Sequence, residues 1–169
     1  MNHKALQIVQ LFDPASSTYT YVVYDAKSLD AVIIDPVDTQ VERDQQTIQA
    51  LGLKLRWALE THAHADHITS AGLLAEHLGA QTAAPEGCHI GTAAVQLVDG
   101  QMIPFGAFAL KALHTPGHTG GSMCFYLATE QASHVFSGDT LLIGGCGRTD
   151  FQSGSAKDMF NSLTEILFK

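Results

Sequence analysis

The sequence predicts an α/β fold in one domain, residues 1–169. Three observations lead to it: a run of short β-rich segments at the N-terminus, a strand that empties into a histidine-rich loop followed by a helix, and an amphipathic helix as the last element. Hydrophobic residues make up 46% of the 169, enough for one substantial core, and the length leaves little room for a second.

Residues 8–12, 19–24 and 31–34 are rich in β-branched and aromatic side chains and are separated by D-P-A-S-S and A-K-S-L-D, which carry turn chemistry. They read as strands. Across residues 39–51, Val41, Ile48 and Leu51 punctuate a polar stretch with Gly52 just beyond, as in an exposed amphipathic helix with a glycine stop. Residues 53–59 then read as a buried strand carrying the single Trp57, which, like the N-terminal aromatics, is expected in the core. Helical spacing through Leu73, Leu74 and Leu78, closed by Gly79, follows over residues 69–78. Residues 108–113, 123–127 and 134–136 read as further strands. The last segment, S-A-K-D-M-F-N-S-L-T-E-I-L-F-K, offers Ser155 as N-cap with Asp158 at the third helical position, and its apolar Met159, Phe160, Leu163, Ile166 and Leu167 recur at helical intervals.

A formal charge of −8 without any Lys/Arg run argues against nucleic acid or an anionic membrane as partner. The longest apolar runs fall far short of the roughly 20 residues of a membrane helix. The N-terminus M-N-H-K-A-L-Q-I-V-Q-L-F lacks the marks of a signal or transit peptide, so a cytoplasmic protein is expected. Cys88, Cys124 and Cys146 are odd in number and lack C-x-x-C spacing, which indicates neither a disulfide framework nor a zinc ribbon.

T-H-A-H-A-D-H, residues 61–67, packs three imidazoles and a carboxylate into six consecutive positions where a predicted strand ends. Open α/β sheets place their sites at that edge. In an extended loop residues two apart share a side, so His62, His64 and Asp66 are expected to converge while His67 faces elsewhere or enters the helix. A lone histidine is ordinarily a surface or hydrogen-bonded residue; four ligand types at this spacing point to metal. H-T-P-G-H-T-G-G-S, residues 114–122, makes a tight turn at Pro116 and Gly117 that aims His118 at the same edge, with His114 the weaker member. F-S-G-D-T-L puts Asp139 after a short apolar strand, where its carboxylate suits a divalent ion. His3, His77, His89 and His134 have no partner motif and are expected in solvent or on helix surfaces.

H-A-H-A-D-H, T-P-G-H-T and S-G-D-T in that order resemble the metallo-β-lactamase superfamily, and the likeness runs from the first strands to the end of the chain. It implies a four-layered αβ/βα sandwich with metal between the two sheets. H-A-D-H-I-T-S-A-G-L-L and L-L-I-G-G-C-G-R-T-D-F-Q, residues 141–152, look like the persulfide dioxygenase branch rather than its glyoxalase II relatives. That resemblance implies a single non-haem Fe(II) per chain held by His62, His118 and Asp139, and oxidation of glutathione persulfide by O2 to sulfite and glutathione. His64, Asp66 and His67 would then orient ligands and hold waters. Arg148 and Asp150 would pair with each other or brace the metal loop, with recognition of a substrate carboxylate by Arg148 as the alternative. Cys146 beside them is read as a packing residue.

Family members continue beyond the last helix to a P-x-H-D-Y-like segment, whose histidine completes a second metal site. The sequence stops at Lys169, so the expectation is a C-terminally shortened sandwich with one ion, its open edge covered by a second copy in a homodimer. The alternatives are a glyoxalase II-like zinc thioester hydrolase and a non-catalytic member of the fold.

Overall fold

The chain is described by a computed structural model over residues 5–169. β1 (Leu6–Asp13), β2 (Thr18–Asp25) and β3 (Asp30–Ile34) are an antiparallel meander. Its first turn is closed by the Asp13 carboxylate, which accepts from the Ser16 amide at 2.9 Å and the Ser16 hydroxyl at 2.7 Å. The chain then changes mode. A 3-10 turn and α1 (Val41–Ala50) carry it to β4 (Lys54–Leu59), parallel to β3, and α2 (Ala71–Leu78) carries it to β5 (Gln81–Pro85), parallel to β4. Parallel neighbours need such crossovers, because a hairpin cannot return a strand in the same direction. β6 (Val95–Leu97) completes a six-stranded sheet ordered β1-β2-β3-β4-β5-β6. β7 (Met102–Phe105), β8 (Phe108–His114), β9 (Met123–Ala128) and β10 (Ser133–Phe136) form a second, antiparallel sheet ordered β10-β9-β8-β7.

The apolar run Ala31 to Ile34 is buried on both faces, which explains why it does not alternate with polar residues. Val32 and Ile34 face the second sheet, in one cluster with Leu59, Leu110, Phe125 and Phe136. Ala31 and Ile33 face the helices, in a cluster with Ile48 of α1 and Leu74 of α2. This double burial clamps the end of β3, and with it the start of the loop at Asp35. α3 (Ala156–Asn161) and a π-helical turn (Ser162–Leu167) end the chain. Ser155 caps α3 as expected, its hydroxyl accepting from the Asp158 amide. No helix among the described residues is long and apolar enough to cross a membrane.

Several expectations change. β5, β6 and β7 lie outside the strands expected from sequence, because they are short and Ala83, Ala84, Pro85 and Pro104 give them a weak β signature. Phe12 and Tyr19 are 47% and 42% exposed rather than in the core, because they lie on the rim at the β1–β2 turn, stacked on each other at 4.9 Å. Trp57 is half-buried and donates its indole N–H to the Pro104 carbonyl. In the last helix Met159 is buried but Phe160 is 66% exposed, since only the Met159 side docks on the chain.

Candidate metal centre

Four loops leave strands at one edge of the sandwich: after β3 (Asp35), β4 (His62), β8 (His118) and β10 (Asp139). Each is locked by backbone hydrogen bonds. The Asp35 amide donates to Leu59 O at 2.9 Å, Glu60 N to Ala83 O at 3.1 Å, and Met123 N to Thr61 O at 2.9 Å, which ties the His62 loop to both sheets. The His118 turn closes through Thr115 N to Ser122 O and Gly117 N to Thr119 O. Gly117 has φ 149° and lies against the Met159 backbone so closely that a Cβ would collide with it. Ser162 seals that contact by donating to Pro116 O at 2.7 Å. α3 is therefore the floor of the His118 turn. Gly147 donates its amide to Asp139 O at 2.7 Å, and a Cβ there would meet both Asp139 and the His118 ring.

His62, His118 and Asp139 each offer one atom to a group whose members lie within 4.8 Å of one another. The two imidazoles are 4.9 Å apart, edge to face at 89°, and His118 Nε2 is 3.4 Å from Asp139 Oδ2. Hydrogen-bond direction tells which nitrogens are bare. His118 Nδ1 lies 2.8 Å from the Arg148 carbonyl, which only accepts, so Nδ1 carries the proton and Nε2 of the neutral ring is a lone pair. His62 Nδ1 lies 2.9 Å from the Thr61 hydroxyl, whose own proton goes to Asp35 Oδ2 at 2.8 Å, so His62 Nδ1 also donates. Burial, reinforced by the neighbouring His64, lowers the His62 pKa to about 3. Burial also raises that of Asp139, against the pull of His118. A bare imidazole nitrogen facing a carboxylate oxygen is a pair of acceptors, an arrangement that a cation between them satisfies. Two imidazole nitrogens and one carboxylate oxygen are a donor set suited to a divalent transition metal with positions left open.

His62, His64 and Asp66 converge on one cleft as expected, with the His62 and His64 rings 4.1 Å apart, but His64 is not in the His62, His118 and Asp139 group. Residues 61–67 bend rather than run extended, so the period of two does not hold His67 away from the others. His64 Nε2 points to Asp35 Oδ1 at 3.2 Å and Glu60 Oε2 at 3.1 Å. Burial opposes charge on His64, but these carboxylates outweigh it and raise the pKa to about 10. His64 also belongs to a second group with Asp66 and His67. His67, expected to face elsewhere, turns in: its Nδ1 meets Asp66 Oδ2 at 3.2 Å and Thr18 Oγ1 at 3.3 Å, and its Nε2 is buried without a hydrogen-bond partner. A cleft of about 420 Å³ opens over both groups, walled by Tyr19, Tyr21, Phe136, Leu142 and Ile143.

Arg148 and Asp150 form a two-pronged pair with each other at 2.8 and 3.1 Å, both largely exposed, and it is the Arg148 carbonyl rather than its guanidinium that reaches His118. His114 turns away and donates to Gly120 O. His77 and His89 are exposed, His134 is half-buried on β10, and His3 lies outside the described residues. Cys146 is exposed, not packed, because the segment 142–146 arches off the surface. Asp35, Glu60 and Thr61 escaped the sequence reading. An acid closing an all-apolar strand, I-I-D-P, was the available signal for Asp35.

The family model of the metallo-beta-lactamase superfamily matches residues 13–87 and 89–168. The human mitochondrial persulfide dioxygenase ETHE1 is 46% identical over 159 residues, which is 94% of this chain and 62% of that protein. The crystal structure of ETHE1 from Myxococcus xanthus superposes with a TM-score of 0.88 at 43% identity, over 96% of this chain and 70% of that one. TTHA1623, solved in a di-iron-bound form, superposes with a TM-score of 0.73 at 31% identity, over 96% and 86%. The chain thus spans about 62% of the length of the curated relatives it matches.

Proposed function

Because the chain belongs to the metallo-beta-lactamase superfamily and has its α/β fold, we propose that His62, His118 and Asp139 hold a single iron(II) and that the protein oxidises a thiol persulfide with dioxygen. The observation that carries this reading is the pair of imidazoles with Nδ1 protons engaged elsewhere, facing a carboxylate within 4.8 Å and open on the remaining side to the cleft. The 46% identity to a persulfide dioxygenase supports the reaction class. Glutathione persulfide, dioxygen and water give glutathione and sulfite. When bound, iron(II) supplies a redox centre at which dioxygen and an anionic sulfur can meet.

The chain's own residues bind and orient. His64, held by Nε2 between Asp35 and Glu60, lies ring to ring 4.1 Å from His62 and braces it at the edge of the cleft. The Arg148–Asp150 pair stiffens the segment whose carbonyl aligns His118. Tyr19, Tyr21 and Phe136 keep the cleft wall apolar. That Cys88, Cys124 and Cys146 are free thiols supports a reducing compartment such as the cytoplasm. Iron-loaded protein given glutathione persulfide should consume oxygen and release sulfite, while zinc-loaded protein should do neither. Absence of turnover with iron fully loaded rejects the reading.

One observation favours a second reading, a glyoxalase II-like zinc thioester hydrolase. The buried, partnerless His67 Nε2 lies in the His64, Asp66 and His67 group, as a ligand to a second ion would. Two zinc ions per chain together with thioester cleavage would establish it.

A further inference from the structure

The geometry points to Asp35 as a positioning residue that decides, through Thr61, which nitrogen of His62 is free to bind metal; the inference rests on His62 being a ligand. Asp35 closes β3, is 4% exposed and has a left-handed φ of 51°. Both of its carboxylate oxygens are used by one residue: Oδ1 accepts from the Thr61 amide at 2.7 Å and Oδ2 from the Thr61 hydroxyl at 2.8 Å. Oδ1 also lies 3.2 Å from His64 Nε2. A hydroxyl has a single proton. Since Thr61 donates it to Asp35, Thr61 can only accept from His62 Nδ1 at 2.9 Å. The imidazole proton is thereby held on Nδ1, and Nε2 stays bare.

Replacing Asp35 by asparagine tests this direction of bonding with almost no change of shape. An amide has one acceptor oxygen and one donor nitrogen, so it cannot accept from both the Thr61 amide and the Thr61 hydroxyl. With its oxygen on the amide, its NH2 faces the hydroxyl, which must turn its proton toward His62 Nδ1 and drive the imidazole proton to Nε2. Asparagine tolerates the left-handed backbone as aspartate does.

The experiment reads the His62 tautomer by imidazole 15N correlation spectra of the metal-free protein, and cobalt(II) and iron(II) affinity by competition with a chelator. The wild-type protein should show His62 protonated on Nδ1. Asp35→Asn should move the proton to Nε2 and weaken metal binding by about 10–100-fold. Thr61→Val should weaken binding likewise, and Thr61→Ser should restore it. The inference is overturned if Asp35→Asn keeps the Nδ1 proton and binds within about twofold of wild type, or if Thr61→Ser binds as weakly as Thr61→Val. Should Asp35→Asn lose its circular-dichroism melt, the two Thr61 variants decide. Failure of the wild-type protein to bind metal defeats the reading of His62 as a ligand, while the tautomer spectra still judge Asp35.

Discussion

A proton on the wrong nitrogen is enough to disable a ligand, and at His118 a backbone carbonyl decides where that proton sits. The Arg148 carbonyl at 2.8 Å leaves Nε2 to face Asp139. Replacing either His118 or Asp139 by alanine removes one of three donors from a group spanning 4.8 Å. Elemental analysis after gel filtration should find metal lost from both variants. His77→Ala and His134→Ala should retain it, since these residues lie outside the group; equal loss in all four would contradict the assignment. The spacing H-x-H-x-D-H announced metal chemistry and the meeting of His62 with His64, yet strand alternation left His67 outside, where the structure turns it in. The alternation rule needs an extended backbone, and residues 61–67 bend.

Among the elements, α1 carries an ionisation that works against folding. Asp44 has no exposed surface, and burial, partly offset by Arg43, raises its pKa from 3.8 to about 6. The folded chain therefore binds more protons than the unfolded one between these two values, and stability falls as pH rises through that window. Asp44→Asn removes the titration. Urea unfolding at about pH 4 and about pH 7 should show the variant gaining on wild type at the higher pH; a gap that shrinks as pH rises would show the carboxylate to be net stabilising when charged. α3 works in the opposite sense. Its capping serine and the Ser162 to Pro116 bond hold the turn that presents His118, so a short terminal helix contributes to ligand geometry. The cap was legible from Ser155 and Asp158, but its docking partner, remote in the chain, was not.

At the scale of the whole molecule, the proposed ligands arrive on loops from β4, β8 and β10, so an ion bound there would tie both sheets together. Metal that binds only the folded state adds about 2.7 kcal/mol of stability at one hundred times its dissociation constant. For a chain of this size that is roughly 5–10 °C in Tm. Calorimetry of iron-loaded protein should show a fall of this order on chelation and recovery on reloading, while Asp139→Ala should be indifferent to both; a chelator-insensitive wild type would argue against a metal spanning the sheets. What the sequence by itself determined was the run of N-terminal strands and the helices that follow, the cap of α3 and the three ligand-rich motifs that place the chain in its superfamily, because each is written in neighbouring residues. What only the tertiary structure decided was that His62 meets His118 and Asp139 while His64 turns to Asp35 and Glu60, because a hydrogen bond has a direction, and its partners are fixed only when distant loops have packed.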